Sequence, residues 1–345
     1  MKELVLHIIN GAELMDKVQI TIGSGGKKTQ SFINNEIISR FSNEKLEILA
    51  DGAHIDNNIV ITTDSFTVYP PFFDGGDIGM LSVCGMINDL ASMGAEPKFM
   101  TMSLIIEEGF SFKDLKIILD SIKQIANNHM IQLVAGDTKV VEKGKLDGII
   151  INVTGIGYRY RDILLPAKDY KVGDKIILTG PVGEHSVAVL KGRGIVEFDG
   201  EIISDVAPLW DPVKELIDAN LKIKFIRDVT RGGLSAVLNE FAFFSKAKLE
   251  IYEDEIPINE KVLSICDIYG FDIYSLACEG RLVIIVDSED AENALDCLSR
   301  NNLTKDSKII GQIIELSKPL VIMNTQYGGK IIMDMPTGEI LPRIC

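Results

Sequence analysis

The sequence predicts an α+β or α/β chain of about two domains, and three observations lead there. Short β-branched runs alternate with stretches of helical period in both halves of the chain. The 345 residues suit two cores if a domain takes roughly 150 residues. A turn signal, Lys171-Val172-Gly173-Asp174, falls near the middle and marks where a second domain opens.

In order along the chain, Ile59–Thr63 reads as a buried strand running into Asp64. Gly79–Met93 carries apolar residues at helical spacing with small residues between them and stops at Gly94. Lys113–Asn127 is an amphipathic helix, and Ile131–Ala135 is a strand delivering Gly136-Asp137-Thr138. Gly148–Gly155 is a further strand. Beyond the turn, Ile176–Thr179, Leu249–Tyr252 and Arg281–Val286 read as strands, and Ser204–Asn220, Leu234–Phe244 and Glu289–Ser299 as helices. Three strand signals close the pattern at Lys308–Ile314, Leu320–Asn324 and Lys330–Met333. The expected division is residues 1–165, 166–333 and an aperiodic tail, 334–345, holding Pro336, Gly338 and Pro342. Ten extended residues reach about 30 Å, so a thiol on that tail could visit a partner's site and return to its own.

Composition excludes several classes. With 35 basic against 50 acidic residues the net charge is −15, which opposes binding a nucleic-acid backbone. A nucleotide is still compatible, because Mg²⁺ places positive charge between carboxylates and phosphates. Leu4–Ile9 is short and interrupted by His7, so neither a signal peptide nor a membrane span is expected. The chain is expected to be cytoplasmic. Five cysteines lack zinc or redox spacing. Cys84, Cys266, Cys278 and Cys297 sit among apolar residues and read as core, whereas Cys345 ends the sequence and is not expected to be a packing thiol.

Four aspartates, Asp51, Asp64, Asp89 and Asp137, follow strands or lie on a small-residue helix. Any one could be a cap or turn residue. Together they suit a hard cation held by carboxylate oxygens and substrate phosphates. Lys139 shares a face with Asp137 in an extended segment and could neutralise a phosphoryl group, or be a solvated surface lysine. Gly25 and Gly26, in Gly23-Ser24-Gly25-Gly26-Lys27-Lys28, would let backbone N–H groups approach phosphate oxygens, though a flexible loop reads equally well. Arg227-Asp228-Val229-Thr230-Arg231-Gly232-Gly233 before a helix suits an anion site or an ordinary cap. Glu279 precedes a strand and is either a proton acceptor of raised pKa or an ion-pair partner of Arg281. Arg343 is near enough to Cys345 to favour its thiolate.

The chain resembles the HypE family of hydrogenase maturation factors, within the PurM-like aminoimidazole-ribonucleotide synthetase superfamily. The residues that carry this are GSGG at Gly23, TTDSF at Thr62, FFDGGDIG at Phe72, VCGMINDLASMGA at Val83, GDTKVV at Gly136, INVTGIG at Ile151, DVTRGGL at Asp228, CEGRLV at Cys278 and PRIC at Pro342. The resemblance runs from Gly23 to Cys345. It implies a PurM-like two-domain α+β fold whose N-terminal domain dimerises and binds ATP, and a mobile tail carrying a modified Cys345. It also implies a carbamoyl dehydratase that turns an S-carbamoyl group on Cys345 into a thiocyanate. A HypF-type carbamoyltransferase would load the group, and the HypC–HypD complex would accept the cyanide. ATP and Mg²⁺ would be held by Asp51, Asp64, Asp89 and Asp137, with Gly25 and Gly26 at the nucleotide. Lys139 and Glu279 would act on Cys345. The chain departs from the usual family pattern at Ile22, at ADGA over Ala50–Ala53 (which bears on the role of Asp51), in the GEHS around His185 where GDHG is typical, and at Cys278 and Arg281; Cys278, beside the expected base, is the departure expected to alter the site most.

Two other readings stand beside this one. Another ATP-dependent synthetase or kinase of the superfamily would share the aspartates but has no use for a terminal thiol. A non-catalytic carrier would use Cys345 without Lys139, Glu279 or the aspartates.

Overall fold

In the computed structural model, residues 17–46, 50–337, 341 and 344–345 are described. Leu4–Ile9, Gly338, Pro342 and Arg343 lie outside the described residues. Near the start, helix α1 (Gly26–Phe32) leads towards a five-stranded sheet made of β1 (Ala53–His54), β2 (Ile59–Phe66), β3 (Ala95–Glu107), β4 (Gln132–Val141) and β5 (Ile149–Arg159). Its order is β1-β2-β5-β3-β4. All neighbours are antiparallel except β3 and β4.

Helices α2 (Ile78–Ser92) and α3 (Phe112–Asn128) pack together, and α2 lies on this sheet. Along β3 and β5 alternate residues are buried, so one face of the sheet packs inward and the other is open. Nearly every residue of α2 is buried, because the helix also packs on the second half of the chain. A helix covered on all sides can be apolar all round, and Gly85 lets it close on the ring of Phe66.

The second half is a seven-stranded sheet with helices α4 (Glu184–Gly192), α5 (Trp210–Asp218), α6 (Gly233–Ser245), α7 (Glu260–Tyr269) and α8 (Ala291–Ser299). Its strands are β6 (Lys175–Leu178), β7 (Ile223–Asp228), β8 (Ala247–Tyr252), β9 (Leu282–Val286), β10 (Lys308–Leu316), β11 (Leu320–Asn324) and β12 (Lys330–Ile332). The order is β12-β11-β8-β10-β6-β9-β7. One apolar core is shared by both halves and a second lies within the second half. No helix among the described residues is long and apolar enough to cross a membrane.

Several elements differ from the sequence expectation. The helix expected over Ser204–Asn220 starts only at Trp210. Pro208 disfavours helical geometry in the residue before it, and Ser204 and Asp205 lie outside the helix with their side chains occupied elsewhere. The strand expected to end at Ala135 continues to Val141, so Asp137 lies within a strand rather than past it. Asp64 likewise lies inside β2. At its described positions the tail is docked on the body of the protein, with Met335 and Ile344 buried.

Candidate active site

Acidic side chains converge between the two sheets. Asp51 precedes β1, Asp64 sits on β2, Asp89 near the end of α2, and Asp228 closes β7. Carboxylate oxygens of Asp51, Asp89 and Asp228 lie within 4.8 Å of one another. Thr62 Oγ1 donates to Asp89 at 2.5 Å, and Arg227 pairs with Asp51 at 2.8 Å and with Glu240 at 3.0 Å. Burial, reinforced by the neighbouring aspartates, pushes Asp89 and Asp228 well above the usual carboxylate range. Asp51 and Asp64 are also raised by burial, opposed by Arg227 and Arg231 respectively. Three acids so close carry more negative charge than Arg227 offsets, which suits a hard divalent cation with its oxygen ligands.

Asp228 was missed as an acid of this cluster. The signal is present in the sequence, since Asp228 ends an apolar strand, the pattern that singles out Asp64 and Asp137. Strand β7 itself went unrecognised because Lys224 interrupts its apolar run. In the fold Lys224 is buried against Asp174 at 2.8 Å.

Asp137 and Lys139 are not brought to this cluster within one chain. They pair with each other at 2.8 Å on β4, the exposed edge strand. Asp137 is in register with Ser103, then Asn152, then Ser65, so it lies on the open face, three strands from β2. That separation is about 14 Å. Asp64, one residue from Ser65, points to the opposite, packed face.

Glu279 is buried, and its Oε1 has no hydrogen-bond partner among the described residues. Burial first, then Asp228, Asp205 and Asp64, push its carboxyl well above the carboxylate range, against a lowering by Arg231. The alternative pairing with Arg281 is not formed. Arg281 turns to Glu184 at 3.0 Å and Asp205 at 3.5 Å. Cys278 does not enter the site either. Its Sγ lies in the second core, accepting from the Gly183 N–H at 3.3 Å.

Cys345 lies in the same cleft. Its main-chain oxygen accepts from the Thr67 N–H at 2.9 Å and from Thr67 Oγ1 at 3.0 Å. A cavity of ≈ 330 Å³ beside it is lined by Gly23, Ser65, Thr67, Arg231 and Ala277, among others. Burial and then Glu279 drive the thiol pKa far up, and Arg231 is the cation that opposes them. The glycine loop closes this pocket. Gly26, at φ +78°, has no room for a Cβ, which would meet the Pro336 oxygen at 2.2 Å. The Lys27 N–H donates to that same oxygen at 2.9 Å. The loop therefore packs on the tail as well as facing the cavity.

Residues 50–158 match the family model for the N-terminal domain of AIR synthase related proteins, and residues 171–323 match the C-terminal domain. The chain is 40% identical over 344 residues to carbamoyl dehydratase HypE of Bradyrhizobium diazoefficiens, covering 99% of this chain and 98% of the relative. It is 43% identical to a chain in the crystal structure of a HypE–HypF complex, with a TM-score of 0.85 over 89% of this chain and all of that one. A HypE structure in complex with ATP is 35% identical, with a TM-score of 0.80 over 95% of this chain and 100% of that one.

Proposed function

The chain belongs to the HypE family of carbamoyl dehydratases, and from that premise we propose how its own residues perform the reaction. It carries out an ATP-dependent dehydration in hydrogenase maturation. The observation that carries the residue assignment is Cys345 held in the cleft beside Arg231, with the buried carboxyl of Glu279, whose Oε1 has no hydrogen-bond partner among the described residues, among its neighbours.

Converting S–CO–NH₂ to S–C≡N removes the oxygen and both amide protons. ATP, when bound, supplies the phosphoryl group that turns that oxygen into a leaving group. Asp51, Asp89 and Asp228, with Asp64 beside them, would hold Mg²⁺, which supplies neutralising charge. Glu279 takes one amide proton once positive charge nearby lowers its pKa, and Arg231 already acts in that direction; the second proton leaves with the departing phosphate. Gly25 and Gly26 hold the loop against Arg231 and Pro336, closing the pocket over the tail.

Lys139 and Asp137 act from a second copy of the chain in this reading. Strand β4 is an edge strand exposed along its length, including Leu133, Val134 and Val140, and the sheet's second face is open. That exposed edge and open face support a homodimer in which β4 approaches the partner's cleft. A HypF-type carbamoyltransferase loads Cys345, and a HypC–HypD acceptor takes the cyanide.

Intact-mass spectrometry tests the assignment. Incubation with the carbamoyltransferase, carbamoyl phosphate and Mg-ATP should give a carbamoyl adduct on Cys345, followed by loss of one water. Cys345→Ala should give neither. An adduct that forms but never dehydrates overturns the mechanism.

A further inference from the structure

We propose that His185 is a positioning residue which clamps the docked tail by its main chain and so sets how deeply the Cys345 sulfur enters the cleft. The proposal rests on the reading of Cys345 as the modified residue.

His185 is fully buried on the first turn of α4. Its Nε2 lies 2.8 Å from the main-chain oxygen of Ile344, and its Nδ1 lies 2.8 Å from Ser204 Oγ. A main-chain oxygen only accepts, so Nε2 carries the proton and Nδ1 is bare. Ser204 Oγ therefore donates to Nδ1, and it accepts in turn from the Val206 N–H at 3.1 Å. This relay fixes the tautomer that donates to the tail. Burial lowers the pKa of the ring, which keeps it neutral with a single N–H to place. The edge of Phe73, with ring centroids 5.2 Å apart, holds its plane.

The neighbouring residue is gripped from the other half of the molecule. Thr67, just past β2, takes the main-chain oxygen of Cys345. Two consecutive oxygens are thus held by two elements, one from each half, while the Ile344 side chain is buried between them. Neither hydrogen bond uses the sulfur or any group attached to it. The clamp can therefore hold the tail whether the thiol is free or modified.

The test uses the full chain without nucleotide, and reads iodoacetamide labelling of Cys345 by peptide mass spectrometry. His185→Leu keeps the bulk and removes both nitrogens. Losing one buried hydrogen bond should speed Cys345 labelling about fivefold to tenfold, with Cys84, Cys266 and Cys278 unchanged. His185→Gln retains a distal N–H donor and should stay near the wild-type rate. Ser204→Ala lies away from the tail and frees the tautomer, so it should give a smaller increase. With preloaded Cys345, His185→Leu should slow single-turnover dehydration without changing ATP affinity. Wild-type labelling in both His185→Leu and Ser204→Ala overturns the clamp, as does a glutamine variant no better than leucine. If His185→Leu does not fold, the Ser204→Ala rate decides. Failure of the underlying reading looks different: the carbamoyl group would map to another residue while the labelling contrast stays intact.

Discussion

Asn88 and Glu279 are joined through the main chain: Asn88 Nδ2 donates to the Glu279 carbonyl oxygen at 3.2 Å. The same amide donates to Ala207 and accepts from the Leu209 N–H. Asp205 takes the N–H groups of Glu279 and Gly280, each at 3.2 Å. Both backbone groups of Glu279 are thus fixed, one by a helix of the first half and the other by a loop of the second. Its side chain is left with an oxygen, Oε1, that nothing among the described residues binds. Gly280 is required for this, since a Cβ there would lie 1.8 Å from the Asp205 oxygen.

Glu279→Gln should keep this backbone geometry and remove the proton acceptor. Dehydration is expected to fall about 10²–10⁴-fold, the usual contribution of a positioned base, while Cys345 still becomes carbamoylated. The folded protein should be no less stable, because the amide brings no charge into a site where burial already disfavours the ionised carboxyl. Mass spectrometry separates the two steps, and a variant that dehydrates at the wild-type rate removes Glu279 from the mechanism.

Magnesium should stabilise the protein more at high pH than at low. Asp89 and Asp228 are raised well above 3.8 in the fold. An acid raised on folding favours the folded state below its unfolded value, and that contribution is lost as pH rises through the raised value. A divalent cation binds only the ionised groups, so it compensates where the loss is greatest. Differential scanning fluorimetry with and without MgCl₂ should show a shift of a few degrees near pH 8 and less near pH 5.5. Asp228→Asn should abolish the shift. An equal shift at both pH values, or one that survives in Asp228→Asn, counts against the cation site.

Much of this site was legible because its elements obey local rules. The buried strand before Asp64, the helix of small residues carrying Asp89 and the aperiodic tail all announce themselves. What was hidden depends on tertiary context. Strand β3 went unrecognised because Pro97 argues against a central strand, and the fold accommodates it at a register shift between Pro97 and Phe99. The side chain of Cys278 could not be placed without knowing which way Glu279 points. No local pattern says that β4 stands three strands from β2, so Asp137 and Lys139 read as companions of a cluster they do not join within one chain.

Lys224→Met should destabilise the second half strongly. Its Nζ lies 2.8 Å from both oxygens of buried Asp174 and 3.4 Å from Asp287. Removing the cation leaves a buried carboxylate with the Lys171 N–H but no cation against it, at a cost of about 3–5 kcal/mol. Adding Asp174→Asn should recover part of that loss, because the two residues are directly coupled. Urea unfolding midpoints give the comparison, and a single variant as stable as wild type would mean the pair is solvated.

The place of Lys139 predicts complementation between two inactive variants. In one chain Lys139 is paired with Asp137 on the open face, and its row of the sheet reaches Ile105 and Ile150 rather than the cleft. If it acts on the Cys345 of a second copy, Lys139→Ala and Cys345→Ala homodimers should each be inactive. Unfolding and refolding the two together should form mixed dimers. In half of the clefts of such a dimer, the lysine comes from the Cys345→Ala subunit and the thiol from the Lys139→Ala subunit. Thiocyanate should then appear on the Lys139→Ala chain alone, which its mass identifies. A mixture that stays inactive although mixed dimers have formed would place the lysine's action within its own subunit or remove it from the chemistry.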